Sequence, residues 1–190
     1  LWLVLKIGAL FFSEFKKRDA ECSRFSLSMK QIPLQDRVFW IHAASMGEFE
    51  QAKPIIEYIR EIEKEQISIV VTFFSPSGYE HQKNYQYADY ITYLPIDTDR
   101  TMNQFVTSIH PSVVVFIRYE IWPNLLQILG QKAIPYFFVN ATYPQSWFWE
   151  SIGRSFLRQL LSNSNGIYSV NEQNYLKFKR LVTKDIVHRS

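Results

Sequence analysis

The chain is 190 residues long, 47% hydrophobic and 16% aromatic, which excludes a disordered polypeptide and suits one domain with a sizeable core. Its single cysteine, Cys22, excludes an internal disulfide framework and a multi-thiolate metal site, and fits a reducing compartment. The net charge of +3 resides within residues 1–40, with seven basic against four acidic side chains; the remainder is balanced, and no nucleic-acid partner is expected.

The chain begins with its most apolar run, "LWLVLKIGALFF". That run is shorter than the roughly 20 apolar residues of a bilayer span. It is also unlike a signal peptide, because Lys16, Lys17 and Arg18 follow the apolar stretch and no small-residue cleavage site appears. Two readings remain from these residues. One is a monotopic membrane anchor, with apolar side chains in the lipid interface and the basic cluster on anionic head groups. The other is an ordinary helix docked on the domain. Residues 1–36 are read as this apolar and basic segment, and 37–190 as the folded domain. The chain opens on Leu1 rather than methionine, so a natural start upstream is expected.

From Val38 onward, short β-branched or aromatic runs alternate with helical stretches. The predicted strands are "VFWIHA", "ISIVVTFF", "YITYLP", "SVVVFIR", "PYFFVNA" and "GIYSV". In the first helix Ala52, Ile55, Ile56, Ile59 and Ile62 form an apolar stripe, and Glu57, Arg60, Glu61 and Lys64 are expected to face water. "TDRTMNQFVTSIHP" starts with a Thr/Asp cap and stops at a proline, and "IWPNLLQILGQKAIP" closes with Gly130 near its end. Strand runs with little alternation imply burial on both faces. Together with the βα repeat, that predicts an α/β fold with a Rossmann-like, doubly wound parallel sheet.

This order puts five polar clusters at one edge of the sheet: "SMGE" after the first strand, "SPSG" after the second, "PIDTD" after the third, "RYEIWPN" after the fourth and "NATYPQS" after the fifth. Ligands bind at that edge in open α/β sheets. Six glycines form neither a dinucleotide fingerprint nor a phosphate loop, and no nucleophile elbow is present. His42 precedes Ser45 by three residues, but a strand His is expected to point into sheet packing rather than to activate a serine. Four scattered histidines and one cysteine supply no transition-metal ligand set, so neither a metal nor a cofactor is expected. Glu48 and Glu120 remain, each just after a strand. Each could complement a helix N-terminus or act as a general base in the crevice. The residues alone leave both open.

The linked stretches "WIHAASMGEFEQAKPII", "VVTFFSPSGYE", "YLPIDT", "VVVFIRYEIWPN" and "IPYFFVNA" resemble the N-terminal domain of 3-deoxy-D-manno-octulosonic acid (Kdo) transferases, from about Val38 to Asn174. The resemblance implies one half of a GT-B glycosyltransferase that moves Kdo from CMP-Kdo onto the lipid A precursor, lipid IVA, in lipopolysaccharide synthesis. It implies a location at the cytoplasmic face of the bacterial inner membrane, peripheral or monotopic, against an anionic surface. By the same resemblance Glu48 is the general base of an inverting displacement and Glu120 a second functional carboxylate. Ser45, Gly47, Ser75, Ser77, Gly78 and Asn140 are the expected acceptor-binding positions. Three residues depart from the family pattern: Arg118 replaces an acidic residue, Thr142 an arginine and Pro144 a serine. No second Rossmann domain follows "VTKDIVHRS". The chain is therefore expected to be a fragment or truncated product, inactive without the C-terminal nucleotide-sugar domain. Two rivals are a GT-B enzyme moving another nucleotide sugar to a lipid, and a non-catalytic Rossmann-like binding module.

Overall fold

In the computed structural model, Ala20 and residues 37–64, 66–118, 120–144 and 153–189 are described. The apolar run at the N-terminus and the basic cluster Lys16, Lys17 and Arg18 lie outside the described residues. The elements alternate as the sequence predicts: β1 (Val38–His42), α1 (Met46–Glu63), β2 (Ser68–Phe73), α2 (Pro76–Gln82), β3 (Tyr90–Tyr93), α3 (Asp99–Ile109), β4 (Val113–Ile117), α4 (Pro123–Gln131), β5 (Tyr136–Ala141), α5 (Arg154–Ser162), β6 (Gly166–Ser169), α6 (Glu172–Leu181) and β7 (Val187–Arg189). Among the described residues the strands form one seven-stranded sheet in the order β3-β2-β1-β4-β5-β6-β7, every pair parallel. The doubly wound parallel sheet is as expected, and the order reverses between β1 and β4.

Apolar side chains pack on both faces of the sheet. One cluster joins Trp40, Val114 and Phe116 to Phe105, Leu125 and Leu129 of α3 and α4. The other joins Ile41, Val71 and Phe73 to Phe49, Ala52 and Ile56 of α1. Trp40 and Phe105 meet edge to face at 5.2 Å. Burial of both faces explains why the strands read as unbroken apolar runs.

Four details differ from the sequence reading. β7 was not anticipated: His188 and Arg189 are exposed and only Val187 is buried, so no apolar run marks it. It exists through backbone pairing with β6. Ile62 is 58% exposed, because it lies at the margin of the α1 stripe, in the last turn. Arg60 does not simply face water; it donates to the Tyr87 carbonyl at 3.2 Å and forms an ion pair with Asp89. Gly130 sits inside α4, and the left-handed backbone beyond that helix is supplied by Ala133 at φ 53°. The caps of α3 are as read: Thr98 and Thr101 form a capping box, and His110 ends the helix at φ 45°.

Gly78, inside α2, is buried against the Phe73 ring. A Cβ built there would lie 2.4 Å from Phe73 Cδ1. Gly78→Ala is therefore expected to destabilise the domain by about 1–3 kcal/mol through overpacking, measured by denaturant unfolding; Phe73→Leu in the same chain should recover part of the loss.

Candidate functional site

The reversal of strand order places the carboxyl ends of β1 and β4 side by side, and Glu48 and Glu120 follow those two strands. In a doubly wound sheet that crevice is where ligands bind.

Glu48 is the third residue of α1, and its backbone position follows from a short turn. Ser45 is the extended N-cap and makes no side-chain cap bond. Glu48 instead reaches back, and its Oε2 accepts from the Ala44 N–H at 2.6 Å. Ala44 is a hub, because its carbonyl also accepts from Phe74 N at 3.2 Å and Ser75 N at 2.7 Å. The loops after β1 and β2 are thereby tied together under the carboxylate.

Part of this geometry is ordinary helix capping. The burial is not. Glu48 is only 4% exposed, and loss of hydration pushes its pKa from 4.5 up to about 6. The nearby Glu120 charge pushes the same way, while the Ala44 N–H, the Arg118 guanidinium and the Ser45 N–H pull it back. The result is a carboxylate ionised at neutral pH yet more basic than a surface glutamate, which suits a general base.

Glu120 is half-buried, with its Oε2 3.8 Å from His42 Nε2. It stands on the turn between β4 and α4, which is fixed at both sides. On one side Trp122 Nε1 donates to His42 Nε2 at 3.2 Å. On the other, Asp97 accepts from Asn124 N at 3.1 Å and Leu125 N at 3.0 Å, and its carbonyl accepts from Asn124 Nδ2 at 2.7 Å. Asp97 thus caps α4 from another loop, a role that Trp122, the residue at its N-cap, does not fill. The sequence puts "PIDTD" at this edge, but no local signal marks Asp97 as the cap of a helix that starts 26 residues further on, at Pro123.

The expected acceptor positions spread over three strand ends. Ser45 and Gly47 border Glu48, with Gly47 exposed and open space where a Cβ would point. Ser75 caps α2, accepting from Gly78 N at 3.3 Å, and its Oγ is 3.1 Å from Ser77 Oγ. Gly78 is turned into the core. Asn140 has a φ of 52° where the β5–β6 register shifts, so the strand bends at its carboxyl end. Arg118 has a φ of 69°, an uncommon backbone for a non-glycine residue, at the end of β4. Of the departures beyond β5, the Thr142 hydroxyl is buried without a hydrogen-bond partner and Pro144 is buried. Tyr143 between them is tied to α6, its N–H donating to Asn174 Oδ1 at 2.7 Å. His42 is fully buried, as its strand position predicts, and among the described residues no group of three His, Cys, Asp or Glu could hold a metal ion.

The family model for 3-deoxy-D-manno-octulosonic-acid transferase (kdotransferase) matches residues 18–189. The chain belongs to this Kdo transferase family. A 3-deoxy-D-manno-octulosonic acid transferase of Haemophilus influenzae is 32% identical over 103 residues, 54% of this chain and 24% of its own. Its counterpart in Chlamydia muridarum is 29% identical over 147 residues, 72% of this chain and 33% of its own. The chain thus spans about a quarter to a third of the length of these relatives. Among solved structures, a UDP-GlcNAc 2-epimerase from Neisseria meningitidis, bound to UDP-GlcNAc, superposes with a TM-score of 0.56 at 13% identity. That match covers 81% of this chain and 46% of the epimerase, a likeness of fold.

Proposed function

We propose that this domain is the acceptor half of a GT-B glycosyltransferase that moves Kdo from CMP-Kdo to the lipid A precursor, lipid IVA, with Glu48 as general base. The observation that carries the reading is the pairing of a buried, basic Glu48 with Glu120 at the switch point of the sheet.

In the proposed reaction an acceptor hydroxyl lies against Glu48. As its oxygen bonds to the anomeric carbon of Kdo, the O–H proton passes to a Glu48 carboxylate oxygen. The bond from that carbon to the CMP phosphate breaks, and CMP leaves with the electron pair. Attack from the face opposite the phosphate inverts the configuration. One base on the acceptor side suffices, and the phosphate leaving group makes a metal optional. Donor binding belongs to the C-terminal domain of the complete enzyme, so this chain alone is expected to show no transfer from CMP-Kdo.

The test is complementation of a Gram-negative strain depleted of its own Kdo transferase, using the complete polypeptide that carries this chain. Growth restored by the unaltered protein and lost with Glu48→Gln, at equal protein level, supports the reading. Growth with Glu48→Gln, or in vitro transfer of a different nucleotide sugar in preference to Kdo, overturns it.

Membrane attachment belongs to the same proposal. Among the described residues no helix is long and apolar enough to cross a membrane. Residues 1–18 are proposed to lie in the interface at the cytoplasmic face of the inner membrane, with Lys16, Lys17 and Arg18 on anionic head groups. Lys17→Gln is then expected to weaken binding to phosphatidylglycerol vesicles by roughly 1 kcal/mol, read by co-sedimentation. Equal binding to phosphatidylcholine vesicles would argue against the electrostatic part.

A further inference from the structure

His42 is the last residue of β1 and is wholly buried, yet its ring makes directed polar contacts on both sides. Its Nδ1 lies 2.9 Å from Thr72 Oγ1, on the residue paired with it in β2. The same hydroxyl accepts from Trp40 Nε1 at 2.8 Å. On the other side Nε2 faces the indole N–H of Trp122 at 3.2 Å. An indole N–H can only donate. His42 Nε2 is therefore an acceptor, and the ring hydrogen is on Nδ1, directed at Thr72.

Trp122 is held by more than this bond. Its ring meets His42 edge to face at 5.7 Å and packs on Phe74 at 5.0 Å. It is followed by Pro123, the first residue of α4, whose start Asp97 caps. A chain of fixed contacts thus runs from the sheet core at Trp40 and Thr72, through His42, to Trp122 and the turn that carries Glu120. An apolar side chain of similar size could fill the space but could not accept the indole hydrogen.

We propose that His42 is a positioning residue: by accepting from Trp122 it fixes the turn of residues 120–124, and so holds the Glu120 carboxylate beside Glu48. The inference rests on the proposed role of the two glutamates, but its test requires no transfer reaction. The charged groups that act on Glu48 are Glu120 and Arg118, both carried by the segment after β4; the contacts from β1 and the turn after it are the uncharged N–H groups of Ala44 and Ser45.

The test is a pH titration of the Glu48 side-chain carboxyl by carbon NMR in ¹³C-glutamate-labelled chain. The unaltered protein should titrate near 6. Glu120→Gln removes the neighbouring charge, so its midpoint should fall towards the ordinary carboxylate range. His42→Asn is too short to reach Trp122 and should fall in the same direction, whereas His42→Gln, with an amide oxygen able to reach the indole, should stay nearer the unaltered protein. Trp122→Phe keeps a ring but removes the donor, and covers the case in which a His42 variant fails to fold; it too should fall. Nitrogen NMR should show the His42 hydrogen on Nδ1. An unchanged Glu48 midpoint in folded Trp122→Phe or His42→Asn overturns the inference, as does a His42 hydrogen found on Nε2. Failure of the general-base role would appear separately, as turnover retained in Glu48→Gln with these titrations intact.

Discussion

With Glu48 as the proposed general base, its replacement by Gln is expected to lower single-turnover rate by about 10²–10⁴-fold while raising the thermal midpoint at pH 7.5. The amide keeps an oxygen for the Ala44 N–H, so the turn before α1 should persist, but it cannot take a proton. The stability sign follows from the direction of the shift. Folding raises the Glu48 pKa from 4.5 to about 6, so the folded state holds the proton more tightly than the unfolded chain. The stabilisation from the protonated form is fully present below about pH 4.5 and is lost as pH rises through about 6. At pH 7.5 the buried charge is thus a cost, and a neutral isostere should recover about 1–2 kcal/mol of it. A residue that merely opened a helix would give the opposite pattern, with turnover kept and up to about 1 kcal/mol of stability lost. Measuring both quantities on one variant separates the two roles. The unaltered enzyme should also gain rate as pH rises through about 6 and then level off.

Asp97→Ala is expected to cost about 2–4 kcal/mol of unfolding free energy. The carboxylate accepts from the N–H groups of Asn124 and Leu125 at the start of α4, and Leu125 is fully buried. Its loss leaves these donors without their partner, and the preceding Trp122 makes no side-chain cap bond that could substitute. The damage should spread to the Glu120 turn, because Asn124, whose N–H the lost carboxylate holds, ends that turn; the Asn124 side-chain bond to the backbone carbonyl of residue 97 survives the substitution and limits the loss. Asp97→Asn keeps one acceptor and should lose about half as much. Urea unfolding with hydrogen exchange at α4 checks this. A loss below about 0.5 kcal/mol in Asp97→Ala, the size of an ordinary surface change, would mean that the helix start is held by other contacts.

The elements that could be read directly are those with a local physical signal. "SVVVFIR" and "ISIVVTFF" are dense in β-branched residues and became β4 and β2, with Val114 and Val70 fully buried. Thr98 announced the start of α3 because its cap is made within one turn of chain. β7 carried no such signal; its pairing with β6 is a backbone interaction, indifferent to the exposed side chains of His188 and Arg189. Ile62 shows the reverse, an apolar residue in helical register that the sheet does not reach. His42 was legible as buried but not as polar-bonded, since its partners Thr72 and Trp122 come from other strand ends.

The sequence by itself determined the βα alternation, the burial of both sheet faces and the gathering of the polar loops at one edge, because periodicity, capping and strand direction are local properties. It also determined the family, through linked motifs in a fixed order. Only the tertiary structure decided that β1 lies next to β4, which brings Glu48 and Glu120 into one electric field. That adjacency follows from long-range strand pairing, on which neither glutamate's own segment has any bearing. The tertiary structure also decided that Glu48 is buried deeply enough to become a better base than its helix-start position alone would make it. Loss of hydration is set by the atoms that surround the carboxyl group in the folded chain, and the charges that act on it come from the segment after β4, not from its own helix.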